Sequence, residues 1–280
     1  MGAIEKQDVG GMPRRVEIRL TAMGRELLGV AEALERWLAR APRGPIGAGT
    51  IQACAALKAL AGGWGSTILR ALAERPLSLT ELDVEIPGQS YPVLERRLAI
   101  LRATGQVVAV PATGRCKPYS VSEWAREAVA PLVWAGRCER RYRPAGTAPV
   151  TSVEVEAAFL LAMPQVRLPP SAEGRCVLGV GTDPGDRQAD GLAGVTVSVE
   201  RGRLASCRSH LASDPPARAA GTVDDWLGAL TEGRLDRLDL GGRDPELAQC
   251  LVTGLAHALT AGGVDRGAGK AAYGATTPAS

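Results

Sequence analysis

The sequence predicts an α+β protein built in two unlike parts, and three observations predict it. Apolar residues recur at three- and four-residue spacing through most of residues 50–140, the mark of helices with one buried face. Strict alternation in 194-GVTVSVE-200 marks a strand. Between the two regions, 142-YRPAGTAPVTS-152 carries two prolines among small residues and reads as a linker.

The elements follow in order. Helices are expected over about 50–62, ending at Gly62-Gly63, and about 64–74, stopping before Pro76. A short one covers 79–86, and another runs from about 90 to 103. The last has Ser90 as N-cap, Pro92 in its first turn, and Leu94, Leu98 and Leu101 facing the core. Strands 106–110 and 117–121 flank 111-PATGRC-116, and a closing helix starts near Ser122. Three helices, a β-hairpin and a closing helix make a winged helix-turn-helix.

An internal repeat precedes it. Shifted by 101 residues, 14-RRVEIRLTAMGRELLGVAEALERW-37 lies over 115-RCKPYSVSEWAREAVAPLVWAGRC-138. Thr21 falls on Ser122 as N-cap, Ile18 and Leu20 fall on the inward positions Tyr119 and Val121, and Arg25-Glu26 falls on Arg126-Glu127. Residues 1–45 therefore read as a partial module, with a wing strand and a closing helix but no reading helix, and 46–142 as a complete one. Beyond the linker, 150–262 reads as α+β: helix 152–163, strands 175–181 and 194–200, an Arg201-Gly202 turn into strand 203–209, a helix from Thr222, strand 235–242, and a final helix capped by Asp244 and Pro245. Residues 263–280 have no apolar period and read as a disordered tail.

Composition narrows the function. Aromatics make up 4% of the 280 residues, with Phe159 the single Phe, so the cores must be built from Leu, Val and Ala. No run approaches the ~18 apolar residues of a membrane span. The opening MGAIEKQDVGG lacks a signal-peptide core, and Lys6 stands where a myristoylation motif needs Ser or Thr. The expectation is a cytoplasmic protein with no membrane partner. Six cysteines form no CxxC pair and only two histidines occur, so no metal site, disulfide framework or cofactor is expected. Cys207 and His210 fall on opposite faces of a strand, and no GxSxG or P-loop occurs, so no catalytic residue is assigned. Asp183, Asp186 and Asp190 lack the twelfth-position Glu of a calcium loop. Residues 1–145 hold 21 Lys/Arg against 14 Asp/Glu, and 146–280 hold 12 against 16, so a mildly basic first half precedes an acidic second half.

The complete module resembles a family. The run 54-CAALKALAGGWGSTILRAL-72, then 76-PLSLTEL-82, 94-LERRLAILRATGQVV-108 and 117-KPYSVSEWAREAVAPLVWAG-136, is similar in order to the HxlR-type winged-helix regulators. The resemblance implies a homodimeric bacterial transcription regulator that binds double-stranded DNA. It departs from the pattern at Gly105-Gln106-Val107, where Gly-Leu-Val is usual, and in a mild wing. The expected DNA contacts are Gln89, Ser90 and Tyr91 at the start of the reading helix, Arg96 and Arg97 along it, and Arg115 and Lys117 on the wing. Arg96 and Arg97 read alternatively as a solvated helix face. In the family the position of Cys54 senses oxidants in some members, but no basic neighbour lowers its pKa here, and a structural thiol is the reading.

The C-terminal run 219-AAGTVDDWLGALTEGRLDRLDLGGRDPELAQCLVTGL-255 resembles a sterol carrier protein type 2-like domain. That implies an apolar tunnel for a hydrophobic small molecule, with Phe159, Val197, Trp226 and Leu230 as wall residues or, alternatively, plain core. Together these give a ligand-responsive transcription regulator. The alternative is a winged-helix protein that no longer binds DNA and binds, sequesters or transforms a hydrophobic metabolite, with Trp37, Trp64, Trp124 and Trp134 as apolar walls between the two modules.

Overall fold

The computed structural model describes residues 2–10, 15–61, 63–112, 117–142, 150–181 and 193–261. The chain is mixed α+β. Arg115, residues 182–192 with their three aspartates and residues 263–280 lie outside the described residues.

The chain opens on a hairpin of β1 (Ile4–Gly10) and β2 (Arg15–Leu20), where the sequence predicted a single wing strand. Thr21 then caps α1 (Ala22–Ala39), its hydroxyl accepting from the Gly24 N–H at 3.1 Å. Next come α2 (Ile51–Ala61), α3 (Gly63–Glu74), α4 (Leu79–Glu85) and α5 (Tyr91–Ala103). Ser78 and Glu81 close a capping box on α4. Ser90 occupies the N-cap of α5, but its hydroxyl makes no capping bond; that helix starts on position and on Pro92 alone. Arg43, from the segment after α1, donates to the last carbonyls of α5, 2.9 Å to Ala103 O. Gly105 follows at φ +84°, and a Cβ there would meet the Pro42 ring at 2.9 Å.

Strands β3 (Val107–Ala109) and β4 (Tyr119–Val121) pair antiparallel, and Leu77 bridges to Tyr119 as a third rung. The predicted closing helix is two helices, α6 (Glu123–Glu127) and α7 (Val129–Tyr142). Pro131 explains the break, because it has no N–H to offer the Glu127 carbonyl.

A five-stranded sheet forms the second part, in the order β7–β6–β5–β8–β9. Its strands are β5 (Gly174–Gly181), β6 (Ala193–Glu200), β7 (Arg203–Arg208), β8 (Ala217–Thr222) and β9 (Asp239–Gly242). Only β5 and β8 run parallel. Helices α8 (Ser152–Ala162), α9 (Val223–Glu232) and α10 (Pro245–Ala261) pack on the sheet. Thr151 and Thr222 cap α8 and α9 with capping boxes, and Asp244 Oδ1 accepts from Leu247 N at 3.0 Å to start α10. Leu247, Leu251, Leu255 and Leu259 form its buried stripe as predicted. The strand predicted at 235–242 begins only at Asp239, since 235–237 is a 3-10 turn.

The two parts share one continuous core. Polar contacts cross the same boundary: the buried Glu156 carboxylate accepts from Arg70 at 2.5 and 3.0 Å and from Gly194 N at 3.3 Å, and Arg140 grips Asp224 at 2.6 and 2.9 Å. Arg140 holds the Asp224 carboxyl below its ordinary range.

The repeat is visible in three dimensions as a pseudo-twofold pair. Helices α1 and α7 pack against each other, Arg141 bonding Glu26 at 2.5 Å and Arg40 standing 3.2 Å from Glu127. The shift of 101 residues carries Glu26 onto Glu127 and Arg40 onto Arg141, so each ion pair is the image of the other. The strand pairing repeats as well: Ile4 faces Leu20 as Val107 faces Val121. Thr21 donates to Gly2 O and Ser122 to Gly105 O, each at 2.8 Å. At the seam Trp37 and Trp124 stack with ring centres 4.4 Å apart, each indole N–H donating to the other residue's carbonyl at 2.7 and 2.8 Å. Ile18 and Leu20, predicted to face inward, are 65% and 39% exposed, because among the described residues nothing equivalent to α3 lies over the first hairpin.

Candidate functional site

The residues read as a DNA-contacting set gather at α5 and the second hairpin. Leu94, Leu98 and Leu101 are buried as predicted. Arg96 lies on the opposite, exposed face, while Arg97 sits half-buried on the flank. Among the described residues neither guanidinium has a hydrogen-bond or ion-pair partner. Tyr91 and Ser90 are exposed at the helix start, and Gln89 donates only to its neighbour Gly88 O at 3.2 Å. Lys117 is exposed at the foot of β4.

Two properties moderate this surface. Beside Glu95, Arg96 and Arg102, the exposed residues of α5 include the small or apolar Pro92, Val93, Ala99, Ile100 and Ala103. Described residues between 75 and 117 carry five cations against four carboxylates, and Arg75 is tied to Glu81 and Glu85. The field there is weak.

Gln106, where the sequence resemblance expects Leu, is fully buried. Its Nε2 donates to Ala56 O at 2.6 Å, and its Oε1 has no partner among the described residues. The substitution thus tethers the segment after α5 to α2. Arg102, not singled out in the sequence, lies 5.3 Å over the Tyr119 ring and joins α5 to the hairpin.

The four residues expected to wall a tunnel occupy the core. Phe159, Val197 and Trp226 are fully buried. Phe159 meets Trp226 edge-on at 4.6 Å, and the Trp226 indole donates to Gly179 O at 2.8 Å. Leu230 alone among them borders an open cavity, of about 320 Å³, together with Trp134, Leu235 and Thr260. Trp37 and Trp124 fill the module seam with each other; nothing is described of the Trp64 side chain.

Titratable groups elsewhere give no catalytic constellation among the described residues. Cys207 is buried in β7, and His210, expected on the opposite face of the strand, is exposed two residues beyond its end. Burial pushes the Cys176 and Cys207 thiols up to about 12. Cys54 is exposed, where the sequence reading made it a structural thiol. Among the described residues no three His, Cys, Asp or Glu converge to hold a metal ion, and no helix is long and apolar enough to cross a membrane. No protein-family profile, curated protein or solved structure matches the chain.

Proposed function

We propose that the chain is a ligand-responsive transcription regulator. Residues 46–142 act as an HxlR-like winged helix-turn-helix, with α5 as the reading helix and β3–β4 as the wing. Residues 150–262 act as a sterol-carrier-like domain that takes a hydrophobic small molecule, and the protein works in the cytoplasm. The observation that carries the DNA half is Arg96, an exposed guanidinium with no partner among the described residues, on the face of α5 turned from the core. Two reading helices one turn of DNA apart require two chains, so the homodimer stays in the proposal.

With Arg96, Arg97 and Lys117 of each chain as phosphate contacts, six in the dimer, log K falls with log salt at a slope of about −5.4, so affinity drops roughly 2,000-fold from 50 to 200 mM salt. Fluorescence anisotropy on duplexes tiled across the protein's own promoter tests this. The double variant Arg96→Ala/Arg97→Ala loses the binding. Absence of binding to every duplex at 50 mM salt defeats the DNA half.

A second reading is favoured by the near-neutral charge and apolar surface around α5: a winged-helix protein that has given up DNA and holds, sequesters or transforms a hydrophobic metabolite. It expects no DNA binding at any salt together with saturable binding of an apolar acid or polycycle.

A further inference from the structure

A cavity of about 350 Å³ opens where the two repeats meet the second part of the chain, between α1, α6–α7, the turn at Met163–Gln165 and α10. That is the lower end of the range for small-molecule sites, ~300–1,000 Å³. Gly254, Ala258 and Leu259 supply apolar wall; Trp37, stacked on Trp124 and only 2% exposed, lies almost wholly behind it. The polar wall is strongly asymmetric. It holds the guanidinium groups of Arg40, Arg126 and Arg167 against one carboxylate, Glu127. Glu127 Oε2 stands 3.2 Å from Arg40 Nη1, an ion pair that offsets those two charges although Oε2 accepts no hydrogen bond among the described residues. Arg126 and Arg167 are left over.

Arg126 is the unusual group. It is only 8% exposed, and among the described residues no carboxylate lies within ion-pair distance of it. Its Nη1 donates to Leu160 O and Leu161 O, at 3.3 and 3.2 Å, the free carbonyls at the end of α8. Burial lowers its pKa from the ordinary guanidinium value, the sign of a charge held without full compensation. A second donor is also unmet: Gln165 Nε2, on the same cavity, is shielded from solvent and has no hydrogen-bond partner among the described residues. A buried cation and an idle amide beside an apolar wall call for an acceptor with negative charge. A guanidinium favours the planar, two-oxygen geometry of a carboxylate.

We propose that this cavity binds a compact carboxylate with an apolar body, its acid group held by Arg126, Arg167 and Gln165 and its body against Gly254, Ala258 and Leu259. The proposal deepens the ligand half of the function above and rests on that half alone. Such a ligand would touch both repeats and the C-terminal part at once.

The test uses the full chain without DNA, so that its failure is separate from a failure of DNA binding. The probe is 2-naphthoate, with uncharged 2-naphthamide as its shape control, read by tryptophan emission and by the thermal midpoint. Naphthoate is expected to give a saturable response and to raise the midpoint, with naphthamide about tenfold weaker or more. Arg167→Ala and Gln165→Leu each weaken naphthoate by about tenfold without lowering the midpoint of the unliganded chain. Arg126→Lys also holds α8, so its unliganded midpoint is recorded alongside, and the two milder variants carry the decision if it fails to fold. Arg96→Ala leaves naphthoate binding unchanged. The proposal is overturned by the absence of a saturable response at millimolar naphthoate, by equal affinity for naphthamide, or by wild-type affinity in both Arg167→Ala and Gln165→Leu.

Discussion

The two hairpin-and-helix repeats share a pattern and differ in what covers them. In the second, Val107 and Val121 are buried beneath α3 and its neighbours. In the first, their counterparts Ile4 and Leu20 stand exposed, with Val16 and Ile18 on the same face of the hairpin. The strand registers match, and so do the hydroxyl caps at Thr21 and Ser122. Local sequence therefore sets the strand pairing and the helix start, while burial is decided by an element more than 30 residues away in the chain. The helices differ too: α1 runs unbroken through Val30, and its counterpart is split ahead of Pro131.

The sharpest way to break this comparison is a charge at the matched strand position. Val121→Asp buries an unpaired carboxylate and is expected to cost about 5 kcal/mol, whereas Leu20→Asp stays within about 0.5 kcal/mol of wild type in urea unfolding. Equal losses would show that the first hairpin is covered in solution. Next is the seam. Trp37→Ala and Trp124→Ala should each cost roughly 3–4 kcal/mol, and the double variant far less than the sum, because each indole serves the other. Additive losses would mean that the pair does not act as a unit.

The helix difference can be inverted. Val30→Pro in α1 is expected to cost about 3 kcal/mol, and Pro131→Ala to change stability by less than about 1 kcal/mol, since α7 already begins around the missing N–H. A thermal midpoint unchanged by Val30→Pro would remove α1 from the folded unit. The smallest effect belongs to the image-related ion pairs. Double-mutant cycles on Glu26–Arg141 and Arg40–Glu127 should give similar coupling energies below about 1 kcal/mol, shrinking in high salt. A large difference between the two cycles would mean that the twofold relation stops at geometry.

Most helices and strands were legible because their signals are local. Ser122, Thr222 and the Asp244-Pro245 pair announce three helix starts, and the leucine stripe of α10 announces its buried side. What escaped was non-local. β1 carries Glu5, Lys6, Gln7 and Asp8 among few apolar residues, so only its pairing with β2 reveals it. The split at Ala128 needed the weight of Pro131 inside an otherwise helical pattern. Side-chain placement was the least legible: Phe159 and Trp226 satisfy both a core and a tunnel wall in sequence, and only their edge-on contact tells which neighbours they have. Arg126 showed in the sequence solely as a repeat match, because its burial depends on the end of α8 lying over it.

The stacked indoles also set an order of events. The Trp37–Trp124 contact joins residues 87 positions apart. A ribosome adding 5–20 residues per second needs roughly 4–17 s to cover that distance. For that interval α1 is made but its partner is not, and Val30, Ala33, Trp37 and Leu38 have no surface to bury against. The seam between the repeats is thus closed late, by the far end of the second repeat, and the first forty residues wait for it.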